Sequence, residues 1–250
     1  MQDLTPRRVA VLGDVHGNAV ALAAVLEELR TEDVDLVVWT GDLSWGWEPA
    51  ATLALVRSVG VPARYVRGNA ERALLELRDG KISEPTDGER WMLARHDAGD
   101  LDFVTSFEPG VSVPVDRLGP TFFCHGSPRS DEELLTAETP AERMGEATAG
   151  VAERVLVSAH THAQYDREIA GIRAVNPGSV GMPYEGRPGA YWALLGPDVD
   201  LRRTEYDLDE AIARIHSSGY PRADQMVEIL THPATPAEMI EHAERVQFFG

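Results

Sequence analysis

The chain has 250 residues, 43% hydrophobic and 26% charged, a balance that excludes a disordered or fibrous protein and fits one large domain or two small ones. Forty-one acidic against 23 basic residues leave a formal charge of −18. Such a surface repels phosphate backbones and anionic lipid, so neither a stable nucleic-acid complex nor a membrane partner is expected.

The single cysteine, Cys124, excludes an intrachain disulfide and a multi-cysteine zinc site. Met1 to Arg8 lacks the apolar stretch of a secretory signal, and the most apolar run, Ala19 to Leu26, meets Glu27 and Glu28 well before bilayer length. A cytoplasmic protein is expected. Its oligomeric state is open.

In chain order, Val9 to Leu12 reads as a strand, Ala19 to Arg30 as a helix and Leu36 to Trp39 as a strand. Pro49 to Ser58 follows as a helix and Ala63 to Val66 as a strand. That βαβαβ rhythm predicts a parallel sheet with crossover helices. Thr86 to Phe107 reads as one or two helices, and Val111 to Val113 with Thr121 to Cys124 as neighbouring strands of a second sheet. Further strands are expected at Arg154 to Ser158, Gln164 to Ile169, Ile172 to Val175 and Ala190 to Leu195. Beyond Asp207 the pattern turns helical, ending in Asp224 to Leu230 and Pro236 to Phe248. One α/β domain over residues 1–206 is expected, with a helical extension over 207–250 packed on it.

Five short motifs each follow an apolar strand run: Gly13-Asp14-Val15-His16-Gly17-Asn18, Gly41-Asp42, Gly68-Asn69, His125-Gly126 and His160-Thr161-His162. Ligands gather at the carboxyl ends of strands in open α/β sheets. The motifs hold four of the eight histidines; His96, His216, His232 and His242 fall in helical or tail segments and are expected on the surface. In extended backbone, residues i and i+2 point to the same side, so Asp14 pairs with His16 and His160 with His162. Each motif alone has an ordinary reading, such as a turn or an N-cap at Asp42 or Asn69. Their joint occurrence at successive strand ends points to a metal centre. Oxygen and imidazole donors without thiolate suit Mn²⁺, Fe or Zn²⁺. Seven such groups exceed what one catalytic ion needs, and two ions sharing a carboxylate would use them.

In this order the motifs resemble those of the calcineurin-like metallophosphoesterases, over about Val9 to Gly181, including Asn176-Pro177-Gly178-Ser179. The compact form is similar to the small bacterial phosphodiesterase branch. The resemblance implies a four-layer α/β/β/α sandwich of two packed mixed sheets with a dinuclear site on one edge. It does not cover the tail after Asp207. It also implies one ion held by Asp14, His16, Asp42 and His162, and a second held by Asp42, Asn69, His125 and His160, with Asp42 bridging. Two divalent ions are expected, Mn²⁺ first, with Fe, Zn²⁺ or Ni²⁺ as alternatives. The implied activity is hydrolysis of a small or nucleotide-like phosphoester by a metal-bridging hydroxide.

One departure matters. Many members carry a histidine immediately after the motif asparagine, where it serves as a general acid; here Ala70 stands there and cannot donate a proton. The phosphodiesterase branch also lacks it, which implies diesters over monoesters. Trp45 and Trp47 are expected either to stack on a substrate ring or to divide, one in the core and one on the surface, and Arg129 and Arg187 to clamp phosphate. Two rival readings stand: a non-catalytic metal-binding scaffold of the same fold, as in the retromer subunit that shares it, and a dinucleoside polyphosphate hydrolase. Degeneration to a scaffold would leave gaps among the ligands, and no gap is present.

Overall fold

The computed structural model describes residues 5–247, so the reading of Met1 to Leu4 and the Phe248 end of the last helix lie outside the described residues. The first half alternates β1 (Val9–Leu12), α1 (Ala19–Leu29), β2 (Leu36–Trp39), α2 (Pro49–Arg57), β3 (Ala63–Tyr65) and α3 (Asn69–Arg78). Thr86 to Phe107 holds two helices, α4 (Asp87–Leu93) and α5 (Ala98–Thr105). Thr86 and Asp97 cap them, each accepting the backbone N–H three residues on. Then come β4 (Gly110–Val115), β5 (Gly119–Cys124), α6 (Ala141–Ala147), β6 (Val155–Val157), β7 (Tyr165–Ile169), β8 (Ile172–Asn176), β9 (Ala190–Leu195) and β10 (Val199–Thr204). The tail carries α7 (Leu208–Ser218), α8 (Ala223–Thr231) and α9 (Pro236–Gln247).

The strands form two five-stranded mixed sheets, in the orders β10-β9-β1-β2-β3 and β4-β5-β6-β8-β7. In the first, β1, β2 and β3 run parallel; in the second, β5, β6 and β8 do. Strand alternation sorts the apolar residues into layers. Val9 and Val11 of β1 face Val113, Phe123 and Val157 of the other sheet, closing a dry seam between the two. Ala10 and Leu12 turn the other way, onto Leu22 and Val25 of α1 and Leu53 of α2. On the far face of the second sheet, Cys124, Leu156 and Ala174 pack against Met144 of α6 and Leu135. The architecture is the expected four-layer α/β/β/α sandwich with C-terminal helices.

Three elements, α3, α6 and β10, go beyond the sequence expectation. β10 pairs antiparallel with β9 at a sheet edge, and its charged residues mask the strand pattern. Arg202, for instance, lies over the Trp192 ring at 5.2 Å and pairs with Asp200 and Glu32.

The tail is not loosely attached. Ile215 of α7 and Met226 and Leu230 of α8 bury Trp47, with Met182 and Tyr220 packed around them. Trp47 is a core residue, 2% exposed. Ile215→Ala should therefore destabilise the protein by about 2–5 kcal/mol. Urea denaturation should show it as a lower midpoint at unchanged slope.

Candidate metal centre

The seven candidate ligands sit just beyond the carboxyl ends of β1, β2, β3, β5 and β6, which all point to one edge of the sandwich. Five of them, Asp14, His16, Asp42, His160 and His162, have left-handed backbone, with φ between 48° and 67°. Only two other non-glycine residues among those described do so, Arg117 and Ala170. Such conformations cost on the order of 1–3 kcal/mol each and persist where surrounding structure enforces them. The enforcement is visible around the Asp14–His16 turn. His16 N–H donates to the Asp42 carbonyl at 3.0 Å and Gly17 N–H to that of Leu43 at 3.1 Å. A Cβ at Gly46 would stand 1.6 Å from the His16 carbonyl oxygen, and one at Gly181 would stand 1.7 Å from that of Val15.

The side chains gather in two groups, Asp14 with His16 and His162, and Asp42 with His125 and His160. Within each, the ligand atoms lie within 4.8 Å of one another. Asn69, the first residue of α3 rather than its N-cap, brings Oδ1 to 2.9 Å from His125 Nε2. Asp42 faces both groups, with Oδ1 3.5 Å from His125 Nε2 and Oδ2 3.8 Å from His16 Nε2.

Backbone carbonyls fix the histidine tautomers. His16, His125 and His162 turn Nδ1 toward the carbonyls of Trp45 (3.3 Å), Thr40 (2.8 Å) and Met182 (2.6 Å). A carbonyl only accepts, so each Nδ1 carries hydrogen and each neutral ring offers a bare Nε2 lone pair inward. His16 Nε2 and His162 Nε2 are nevertheless 3.1 Å apart, with Asp14 Oδ1 3.2 Å from the latter. Asp14 Oδ1 is buried without a hydrogen-bond partner. Lone pairs converging with no proton to share suit a cation.

Burial dominates the electrostatics. It pushes the Asp14 carboxyl up to about 6 and holds His16 down to about 3, the latter with help from His162. His160 and His162 are held down to about 4, both chiefly by burial. Asp42 is raised and His125 lowered for the same reason.

Two supporting residues escape sequence reading. Buried Glu71 in the first turn of α3 accepts backbone N–H bonds from Asp42 (2.8 Å), Leu43 (2.7 Å) and Gly68 (2.9 Å). It thereby ties the Gly41-Asp42 and Gly68-Asn69 motifs together. Burial, reinforced by Asp42, pushes its carboxyl up to about 7. The Gly-Asn-x-Glu spacing of a helix N3 residue was the available signal. His96, expected on the surface, is instead buried, with Nδ1 on the Met92 carbonyl and Nε2 accepting from Ser44 Oγ, each at 2.9 Å. It braces the loop beyond Asp42.

Arg129 and Arg187, expected to clamp phosphate, are exposed and held in ion pairs. Arg129 pairs with Glu133 and Arg187 with Glu205, and neither bonds any of the seven. Trp45 is half-buried and meets the site through its carbonyl.

Residues 8–196 match the family model of the calcineurin-like phosphoesterase superfamily domain. The chain belongs to that superfamily. This calcineurin-like phosphoesterase is similar to a metallophosphoesterase of Sphaerobacter thermophilus at 25% identity and a TM-score of 0.71, over 90% of this chain and 99% of that one. A hypothetical protein of Pyrococcus horikoshii OT3 shares the fold at 21% identity and a TM-score of 0.77, over 91% and 99%. No curated protein matches the sequence. The superfamily hydrolyses phosphoesters with divalent metal, and both candidate ligand groups lie within the matched residues. Among the described residues no helix is long and apolar enough to cross a membrane.

Glu71→Gln keeps the shape but replaces one accepting oxygen by an N–H₂ aimed at backbone donors. It should cost about 1–3 kcal/mol in denaturation and lower the metal content found by elemental analysis. Proton and cation also compete for Asp14. Because its carboxyl is raised to about 6 while His160 and His162 stay unprotonated down to about 4, Mn²⁺ affinity should weaken as pH falls through about 6. Calorimetric Mn²⁺ titrations across that range check it; a loss confined below about 4 would assign the competition to the imidazoles.

Proposed function

We propose that the protein is a binuclear metal-dependent phosphodiesterase acting on a small or nucleotide-like phosphoester. The observation that carries this reading is the convergence of unprotonated His16 Nε2, His162 Nε2 and orphaned Asp14 Oδ1, beside a second group joined to it through Asp42. Two bound divalent ions, Mn²⁺ first and Fe, Zn²⁺ or Ni²⁺ otherwise, would lower the pKa of a shared water to about 7 and offset charge on the phosphoryl oxygens. Asp14, His16, Asp42 and His162 would hold one ion, and Asp42, Asn69, His125 and His160 the other. The chain's residues set what enters. Two divalent ions outweigh the charges of Asp14 and Asp42, so the centre attracts an anion on an otherwise acidic protein.

Ala70 is 7% exposed, and its N–H is already given to Asp42 Oδ1 at 2.9 Å. It supplies no proton to a leaving alcohol, which favours diesters with good leaving groups. All seven ligand positions hold competent donors, and this favours an enzyme over a scaffold. A cytoplasmic setting suits the buried Cys124 thiol.

The test is metal-stripped protein reconstituted separately with Mn²⁺, Fe²⁺, Zn²⁺ and Ni²⁺. It is assayed on bis-p-nitrophenyl phosphate, p-nitrophenyl phosphate and a dinucleoside polyphosphate. Diester hydrolysis that returns with metal is expected, and Asp42→Asn should lose both ions together. Undiminished turnover after verified metal removal overturns the mechanism. Monoester or polyphosphate preference overturns the specificity.

A further inference from the structure

Asn176 to Tyr184 wraps the Asp14–His162 end of the site. Ser179 Oγ donates to the Asp14 carbonyl at 2.7 Å and accepts Met182 N–H at 2.8 Å. The Met182 carbonyl holds His162 Nδ1, and Tyr184 N–H donates to the His162 carbonyl at 3.0 Å. The Tyr184 ring then stacks on the His162 imidazole, with centroids 4.9 Å apart and planes 23° from parallel. Backbone and ring thus fix Tyr184 to the same candidate ligand. No other described tyrosine stacks on any of the seven.

Its hydroxyl is uncommitted. Tyr165, Tyr191 and Tyr206 each place theirs in a hydrogen bond, whereas that of Tyr184 has no partner among the described residues. A phenol ordinarily ionises only near pH 10, so its hydroxyl is a donor at neutral pH. A phenol whose ring stacks on a candidate ligand and whose O–H is unspent is matched by an anionic oxygen that a cation there also attracts. A preplaced donor spends little ordering entropy when the ligand arrives.

We propose that Tyr184 is a substrate-binding residue whose phenolic hydroxyl donates a hydrogen bond to a non-bridging phosphoryl oxygen at the Asp14–His16–His162 end of the site. This rests on the phosphoesterase reading above and deepens it.

Tyr184→Phe removes the hydroxyl and keeps the stack. A hydrogen bond to a charged group is worth about 1.5–3 kcal/mol, roughly a ten- to hundredfold change. The variant should lose kcat/KM on bis-p-nitrophenyl phosphate by that factor. Inorganic phosphate should bind the Mn²⁺-loaded variant more weakly by a similar factor in calorimetry, with Mn²⁺ content and Tm unchanged. Unchanged phosphate affinity and kcat/KM overturn the proposal. Metal content falling in step with activity also overturns it, since Tyr184 would then act through His162. If the wild type hydrolyses no ester, the phosphodiesterase reading fails by itself. Phosphate calorimetry still decides the role of Tyr184, and a wild type that binds no phosphate refutes it.

Discussion

The constraint on which the site depends is the 3.1 Å approach of two imidazole nitrogens with no proton between them. Without a cation that contact is repulsive, so the surrounding structure must hold it. The hold on His16 comes from the loop beyond Asp42, through the Trp45 carbonyl. That loop is in turn anchored by Glu71 at its start and by the Ser44–His96 bond further on. The hold on His162 comes from the loop after β8, through the Met182 carbonyl, and Ser179 ties that loop to Asp14. Left-handed backbone at five ligands is the local cost of aiming them together. The dry seam between the sheets supplies the rigidity that sustains it.

How much of this was legible follows from the range of each interaction. The sandwich and the seven candidate ligands could be read because strand runs and strand-end motifs are local patterns. His96 could not, since its partner Ser44 lies 52 residues away, and Glu71 showed only its helix N3 spacing, its tie to Asp42 spanning 29 residues. Carbonyl clamps leave no trace in residue identity at all, because any residue at 45 or 182 offers the same oxygen. β10 was hidden for the opposite reason: its side chains are informative but misleading, since an edge strand guarded by Asp200, Arg202 and Arg203 lacks a clean alternation. The Arg129–Glu133 pair was legible, because its partners stand four residues apart.

The C-terminal helices reach the site by packing rather than by chemistry. Trp47 belongs to the loop that orients His16, and Met182 supplies the carbonyl on His162; both side chains join the cluster formed by α7 and α8. The two clamps on the His16–His162 nitrogen pair therefore share one apolar cushion, built from chain that the family model's matched residues do not include.

Gly46 and Gly181 close on the Asp14–His16 turn from opposite partners, each leaving less room than a methyl group needs. A library that randomised this turn and its glycine neighbours would return mostly misfolded clones, because no alternative side chain fits between those backbones. Side-chain variation is less confined at half-buried Trp45, whose carbonyl rather than ring meets the site. The same asymmetry ranks the positions for engineering: the candidate cage admits no added bulk at its two glycines, whereas a side chain at 45 can be exchanged without moving either backbone.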